Sequence, residues 1–162
     1  MSDDSGAGPL PPPTTSPTIT TADGVSLEAE LAWVEAPRAL VVLAHPHPLH
    51  GGSMRSLVTS ELFRALPGRG LATLRFNFRG VEGSGGAHGA GVDERLDVEA
   101  AIDVLVDEAS ARGVADVPVV VAGWSFGADV ASTVVHPALT GWVLIAPPLR
   151  LVHHERMVAA GD

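Results

Sequence analysis

The pentapeptide GWSFG, from Gly123 to Gly127, sets a serine between two glycines where an apolar run, VPVVVA, gives way to a segment of helical character, ADVASTVV. A serine hydroxyl becomes a useful nucleophile when it is exposed and a base takes its proton, and a sharp strand-to-helix turn supplies the exposure. Such a turn holds its central residue in strained backbone geometry and crowds the flanking backbone, so only small neighbours fit. Gly123 and Gly127 meet that demand. The helix that follows begins with amides lacking intrahelical acceptors. The first of them, on Phe126, is placed to stabilise the oxyanion formed when Ser125 attacks an acyl carbon. With 18 glycines in the chain, a chance match at a merely structural turn is the competing reading. The strand before the motif and the helix after it favour the nucleophile.

A second oxyanion donor is expected from the loop after an adjacent strand, and HPHPLHGG (45–52) is that loop. Pro46 and Pro48 have no amide hydrogen, which leaves the backbones of His47 and Leu49, with His47 preferred. His45, His47 and His50 also have the spacing of the HxHxDH zinc motif of metallo-β-lactamase-like hydrolases, so a zinc hydrolase is an alternative. Leu49 in the aspartate position and the want of a later histidine–acid set argue against it. GVEGSGGAHGAG (80–91) contains no GxGxxG, and the chain has no lysine for a P-loop, so nucleotide binding is not expected. Arg79, at the head of that loop, reads as a structural ion pair in preference to a contact for a substrate carboxylate.

These loops need strands to hold them. ALVVLAH (39–45), LATLRFNF (71–78), VPVVVAG (117–123) and GWVLIA (141–146) are short, nearly continuous apolar runs, as expected of strands covered on both faces. Between them, SLVTSELFRALPGRG places Leu57, Leu62, Phe63 and Leu66 on roughly one helical face and stops at Pro67-Gly68. VDERLDVEAAIDVLVDEASARG aligns Val98, Ala101, Ile102, Leu105 and Ala109 in one stripe. Its acids Asp93, Glu94 and Asp97 read as favouring the helix dipole from a solvated face. TITT and VSLEAELAWV flank Asp23-Gly24, a hairpin signal. The alternation predicts a three-layer α/β/α fold with a mostly parallel central sheet and an N-terminal antiparallel hairpin. Residues 1–16, rich in Pro, Ser, Thr and Gly, read as a flexible tail, and 17–162 as one domain.

HPHPLHGGSM, LRFNFRGVEGSGG and AGWSFGA, in that order, resemble the α/β-hydrolase superfamily, and within it the small bacterial branch related to dienelactone hydrolases, over about residues 18–148. The resemblance implies an esterase-like serine hydrolase with a Ser-acid-His triad, acting on a small ester or related acyl substrate without cofactor or metal. Carried over by position, Ser125 is the nucleophile and Phe126 and His47 are the oxyanion positions. Glu82 departs from the resemblance, standing where the branch has glycine in RGxGxS.

In this fold the acid and the histidine follow the nucleophile on later loops. After Ser125 the chain holds one helix, GWVLIA, and PPLRLVHHERMVAAGD. The expectation is therefore a hydrolase fold lacking its last two strands, incomplete at the C-terminus, with triad acid and histidine beyond residue 162. Asp129 reads as a surface or packing residue, and His136 as lying at the wrong end of the helix. His153 and His154, beside Glu155, would make at best a makeshift base. A non-catalytic or truncated hydrolase-fold module is the alternative function. GWVLIA would then be an open sheet edge, through which self-association is expected.

Composition narrows the partners. The formal charge of −9, with ten scattered arginines as the only basic residues, argues against nucleic acid and anionic membranes. The absence of cysteine excludes disulfides and thiolate chemistry. The N-terminus lacks a basic start and an apolar h-region, so a soluble cytoplasmic protein is expected.

Overall fold

The structure is a computed structural model that describes residues 12–149; His153, His154 and Glu155 lie outside the described residues, as do positions 1–11 of the expected tail. In chain order the strands are β1 (Thr14–Thr15), β2 (Ile19–Thr20), β3 (Ser26–Leu27), β4 (Ala29–Ala32), β5 (Ala39–Ala44), β6 (Leu71–Phe76), β7 (Val119–Trp124) and β8 (Leu139–Ile145). The α-helices are α1 (Leu57–Ala65), α2 (Glu94–Ala111) and α3 (Phe126–Ala131).

Six strands form one sheet in the order β1-β4-β6-β5-β7-β8. The four apolar runs, β6, β5, β7 and β8, are mutually parallel, while β4 is antiparallel to β6 and β1 to β4. Successive strand residues face opposite sides of a sheet, and β5 shows this in its packing. Leu40, Val42 and Ala44 belong to the large core with α2 and α3, whereas Val41 and Leu43 face Leu62, Phe63 and Leu66 of the α1 segment. A strand apolar at every position is thus one with helices on both faces, as the three-layer expectation required.

The hairpin around Asp23-Gly24 forms between β2 and β3, with Gly24 at φ +84°. The stripe predicted on α2 is wholly buried. Other expectations are corrected. Thr14–Thr15, within the stretch read as a tail, pair with Ala32 and Leu31, because backbone pairing along an open sheet edge needs no apolar side chain. Leu57 does not join the buried face of α1 and is 73% exposed. Glu94 and Asp97 are not on a solvated face but fully buried. The helix after Ser125 ends at Ala131, so His136 lies in the turn before β8, where its Nε2 is 2.9 Å from Asp103 Oδ1.

The strand order explains what sequence distance hides. From β5 the chain goes to one side to form β6 and then crosses back to form β7 on the other, so the order reverses at β5. Crevices open at such reversals, outside the C-terminal ends of the strands. Ala44 pairs with Gly123, which brings the loops after β5 and β7 together at that point.

Candidate active site

Ser125 occupies the junction of β7 and α3 with φ +55° and ψ −118°, a region L-residues rarely enter. Three backbone bonds hold it there: its amide donates to the Ile145 carbonyl (2.8 Å), and its carbonyl accepts from the amides of Ala128 (2.9 Å) and Asp129 (3.1 Å). The first prolongs the pairing of β7 with β8, and the others start α3. The flanking glycines are sterically required. A Cβ on Gly123 would collide with the Gly127 carbonyl and sit 2.5 Å from the Ala128 nitrogen. One on Gly127 would strike the Ala44 carbonyl and sit 2.6 Å from that of His45. Close approach of α3 to the end of β5 is what brings Ser125 beside the 45–52 loop.

In that loop Pro48–His50 form a 3-10 turn ended by Gly51 at φ +79°. The His47 carbonyl accepts from His50 and Gly52, both at 3.0 Å, and the Leu49 amide donates to His47 Nδ1 at 3.1 Å. Of the two donors left open by the prolines, Leu49 is therefore committed, and among the described residues the His47 amide donates to no acceptor. Gly52 is packed so closely that a Cβ would fall 2.7 Å from the His47 carbonyl oxygen. His47 and Ser125 line one cavity of about 350 Å³, together with Pro46, His50, Leu57 and Trp124.

His45, a candidate zinc ligand by spacing, is instead a fully buried strut. Its Nε2 accepts from the Phe78 amide at 3.0 Å and its Nδ1 lies 2.7 Å from the Pro46 carbonyl, which fixes a neutral ring with the hydrogen on Nδ1. Burial pushes its pKa down to about 4, against the pull of the Pro46 carbonyl and of Glu82. Both ring nitrogens are engaged, and the His47 and His50 rings stack on each other at 4.4 Å, so the three imidazoles do not converge. Among the described residues no group of His, Asp or Glu could hold a metal ion, which corrects the zinc alternative. His47 is shifted down by burial and then by the neighbouring imidazoles of His50 and His88.

The loop after β6 lines a neighbouring cleft and is held by polar groups whose partners the sequence did not reveal. Asn77 accepts from the Met54 amide (2.8 Å) and donates to Glu28 (2.7 Å) and Glu82 (3.1 Å). Glu82 sits at φ +45°, a conformation that suits the glycine expected there, and its carboxylate is held by Arg55 as well as Asn77. Arg79 is a structural ion pair. Its guanidinium binds Asp97 at 2.7 and 2.9 Å and Asp23 at 2.8 and 3.1 Å, joining the hairpin to α2. Burial pushes Asp97 up to about 6 against the attraction of Arg79, whereas the Arg79 and Thr21 hydrogen bonds bring Asp23 down to about 2. Glu94 accepts from the amides of Gly89 and Gly91, pinning the loop's far end.

Among the described residues no side chain hydrogen-bonds to the Ser125 hydroxyl. Asp129 is buried and its Oδ1 accepts from the Leu149 amide at 3.2 Å, so it ties α3 to the loop after β8. His136 is committed to Asp103 and to the Ala138 amide. The arrangement brings together a strained serine, amides without an acceptor among the described residues and an open cavity.

The chain is similar to known proteins. The profile of the serine aminopeptidase S33 family matches residues 35–160. An uncharacterised protein of Rickettsia prowazekii (strain Madrid E) is 35% identical over 130 residues, covering 78% of this chain and 53% of its own length. An α/β serine hydrolase homologue from Coxiella burnetii is 30% identical with a TM-score of 0.69, over 88% of this chain and 65% of that one. The Pyrococcus furiosus esterase Pf2001 is 26% identical with a TM-score of 0.72, over 85% of this chain and 50% of that one. The chain spans between half and two thirds of the length of these relatives.

Proposed function

The chain belongs to the serine aminopeptidase S33 family of α/β-hydrolases, and from that premise we propose that it carries the nucleophile and oxyanion site of a serine hydrolase acting on small carboxylic esters. The observation that carries the reading is the backbone of Ser125, strained at φ +55° and ψ −118° at the mouth of the crevice beside the unengaged His47 amide. Strain of this kind costs on the order of 1–3 kcal/mol and persists where a function requires it.

In the proposed reaction Ser125 Oγ attacks the ester carbonyl carbon, and the carbonyl oxygen takes up negative charge between the amides of Phe126 and His47. Each such donor is worth about 100- to 1,000-fold in rate. Collapse of the tetrahedral intermediate expels the alcohol and leaves an acyl-serine, which water then hydrolyses. The proton from Oγ passes to a base and on to the departing alkoxide; we assign that base, with its orienting acid, to residues outside those described. The Pyrococcus relative is an esterase and the Coxiella relative a serine hydrolase homologue, and both support the ester reading. The likeness to dienelactone hydrolases stays part of this proposal.

The test is hydrolysis of p-nitrophenyl acetate by the wild-type chain and by Ser125→Ala. Turnover that disappears in Ser125→Ala supports the reading. Equal rates above buffer in the two proteins overturn it, and a wild-type chain with no turnover above buffer fits a base beyond residue 162 as well as a non-catalytic hydrolase-fold module.

A further inference from the structure

The cavity that holds Ser125 has an apolar side that the core does not use. Leu57, at the first turn of α1, has 73% of its surface exposed although the rest of the α1 segment packs Leu62, Phe63 and Leu66 onto the sheet. It lines the Ser125 cavity with Trp124, which is itself only partly buried, and with Pro46. No carboxylate or guanidinium is among the residues lining this cavity. Charged side chains are found instead across the 48–52 turn, where Arg79 and Glu82 line a neighbouring cleft together with His88. The two clefts meet at Gly51 and Gly52, so the turn carrying the His47 amide separates an apolar side from a polar one.

We infer that the Leu57–Trp124–Pro46 side of the cavity is the acyl subsite, that it takes unbranched apolar acyl chains of medium length, and that Leu57 determines this selectivity. The inference rests on Ser125 being the nucleophile. An ester carbon bound at Ser125 with its oxygen on the His47 and Phe126 amides has an acyl substituent and an alkoxy substituent. An apolar acyl chain laid on Leu57 removes from water both its own methylenes and an exposed leucine. A cavity of about 350 Å³ is large enough for such a chain. Each methylene fully withdrawn from water changes affinity about fourfold.

The test uses two alkylphosphonofluoridates, one with a P-ethyl and one with a P-octyl chain. In each the Ser125 Oγ–P bond forms, the P–F bond breaks, fluoride leaves and the hydroxyl proton passes to solvent. The second-order labelling rate at Ser125 is followed by mass spectrometry for wild type, Leu57→Ser and Leu57→Met. The octyl chain has six more methylenes; with each about half withdrawn from water, and so worth about twofold, the octyl probe is expected to label wild type about sixtyfold faster than the ethyl probe. Leu57→Ser should reduce that ratio at least threefold, and Leu57→Met should restore most of it. Because the ratio is taken within one protein, a general loss of reactivity cancels. A wild-type ratio near one, or a ratio unchanged in Leu57→Ser, overturns the acyl assignment while leaving Ser125 as the nucleophile. Failure of both probes to label Ser125 overturns the nucleophile reading and this inference with it.

Discussion

Replacing His45 by glutamine should flatten the acid side of the stability profile. The imidazole is buried, with Nε2 accepting from Phe78 and Nδ1 on the Pro46 carbonyl, and its pKa falls from an ordinary 6.5 to about 4. Between those values the unfolded chain takes up a proton that the folded chain refuses. The stability contributed by neutral His45 is thus complete above about pH 6.5 and is lost as pH falls toward 4. The gap amounts to about 3 kcal/mol, of which roughly 2 kcal/mol is gone by pH 5. Asp97 acts in the opposite sense: with its pKa raised to about 6, the folded state binds the proton first, and stability from this group falls as pH rises from about 4 to 6. Asp23, lowered to about 2, supports the fold above about pH 4 and loses that effect below it. Both carboxylates are common to wild type and His45→Gln, so the difference between the two proteins isolates His45. Urea denaturation at pH 8 and pH 5 is the assay. Wild type should lose about 2 kcal/mol more than His45→Gln over that interval. Parallel losses would refute the assignment of His45 as a neutral, buried strut.

Two more outcomes follow from backbone geometry. Gly127→Ala places a methyl group against the carbonyls of Ala44 and His45, so α3 must move away from β5. A loss of about 3 kcal/mol or more in stability, read by thermal melting, is expected along with loss of Ser125 reactivity. Among the described residues β8 pairs only with β7, and Val143 on it is 51% exposed. Its free edge should pair with a second copy, so sedimentation should show concentration-dependent association that Val143→Lys weakens; a monomer at all concentrations would contradict this.

How much of this was legible in the sequence depends on how far apart the interacting residues lie. β5, β6, β7 and β8 could be read because a strand buried on both faces writes itself as a continuous apolar run. The Ser125 turn could be read because its steric demand falls on Gly123 and Gly127, its near neighbours. The buried acids could not. Glu94 and Asp97 look like ordinary helix-start residues until Gly89, Gly91 and Arg79 are seen to meet them in space. His45 looked like one of three equivalent imidazoles because its partner, the Phe78 amide, comes from the end of another strand. Leu57 fits the apolar stripe of α1 by spacing, yet it sits at the turn nearest the crevice, beyond the edge of the sheet's packing. His47 is already preferred over Leu49 from the sequence, and the structure adds that the Leu49 amide donates to the His47 ring.

The central claim is that Ser125 is the atom-bearing nucleophile, and trapping the acylated protein tests it most directly. The chain is mixed with p-nitrophenyl butyrate, quenched in acid within the first turnover, and digested for peptide mass mapping. A butyryl adduct on the peptide containing Ser125, absent from Ser125→Ala, is the predicted result. Hydrolysis that proceeds with the adduct on His47 or His50, or equally in Ser125→Ala, would contradict it.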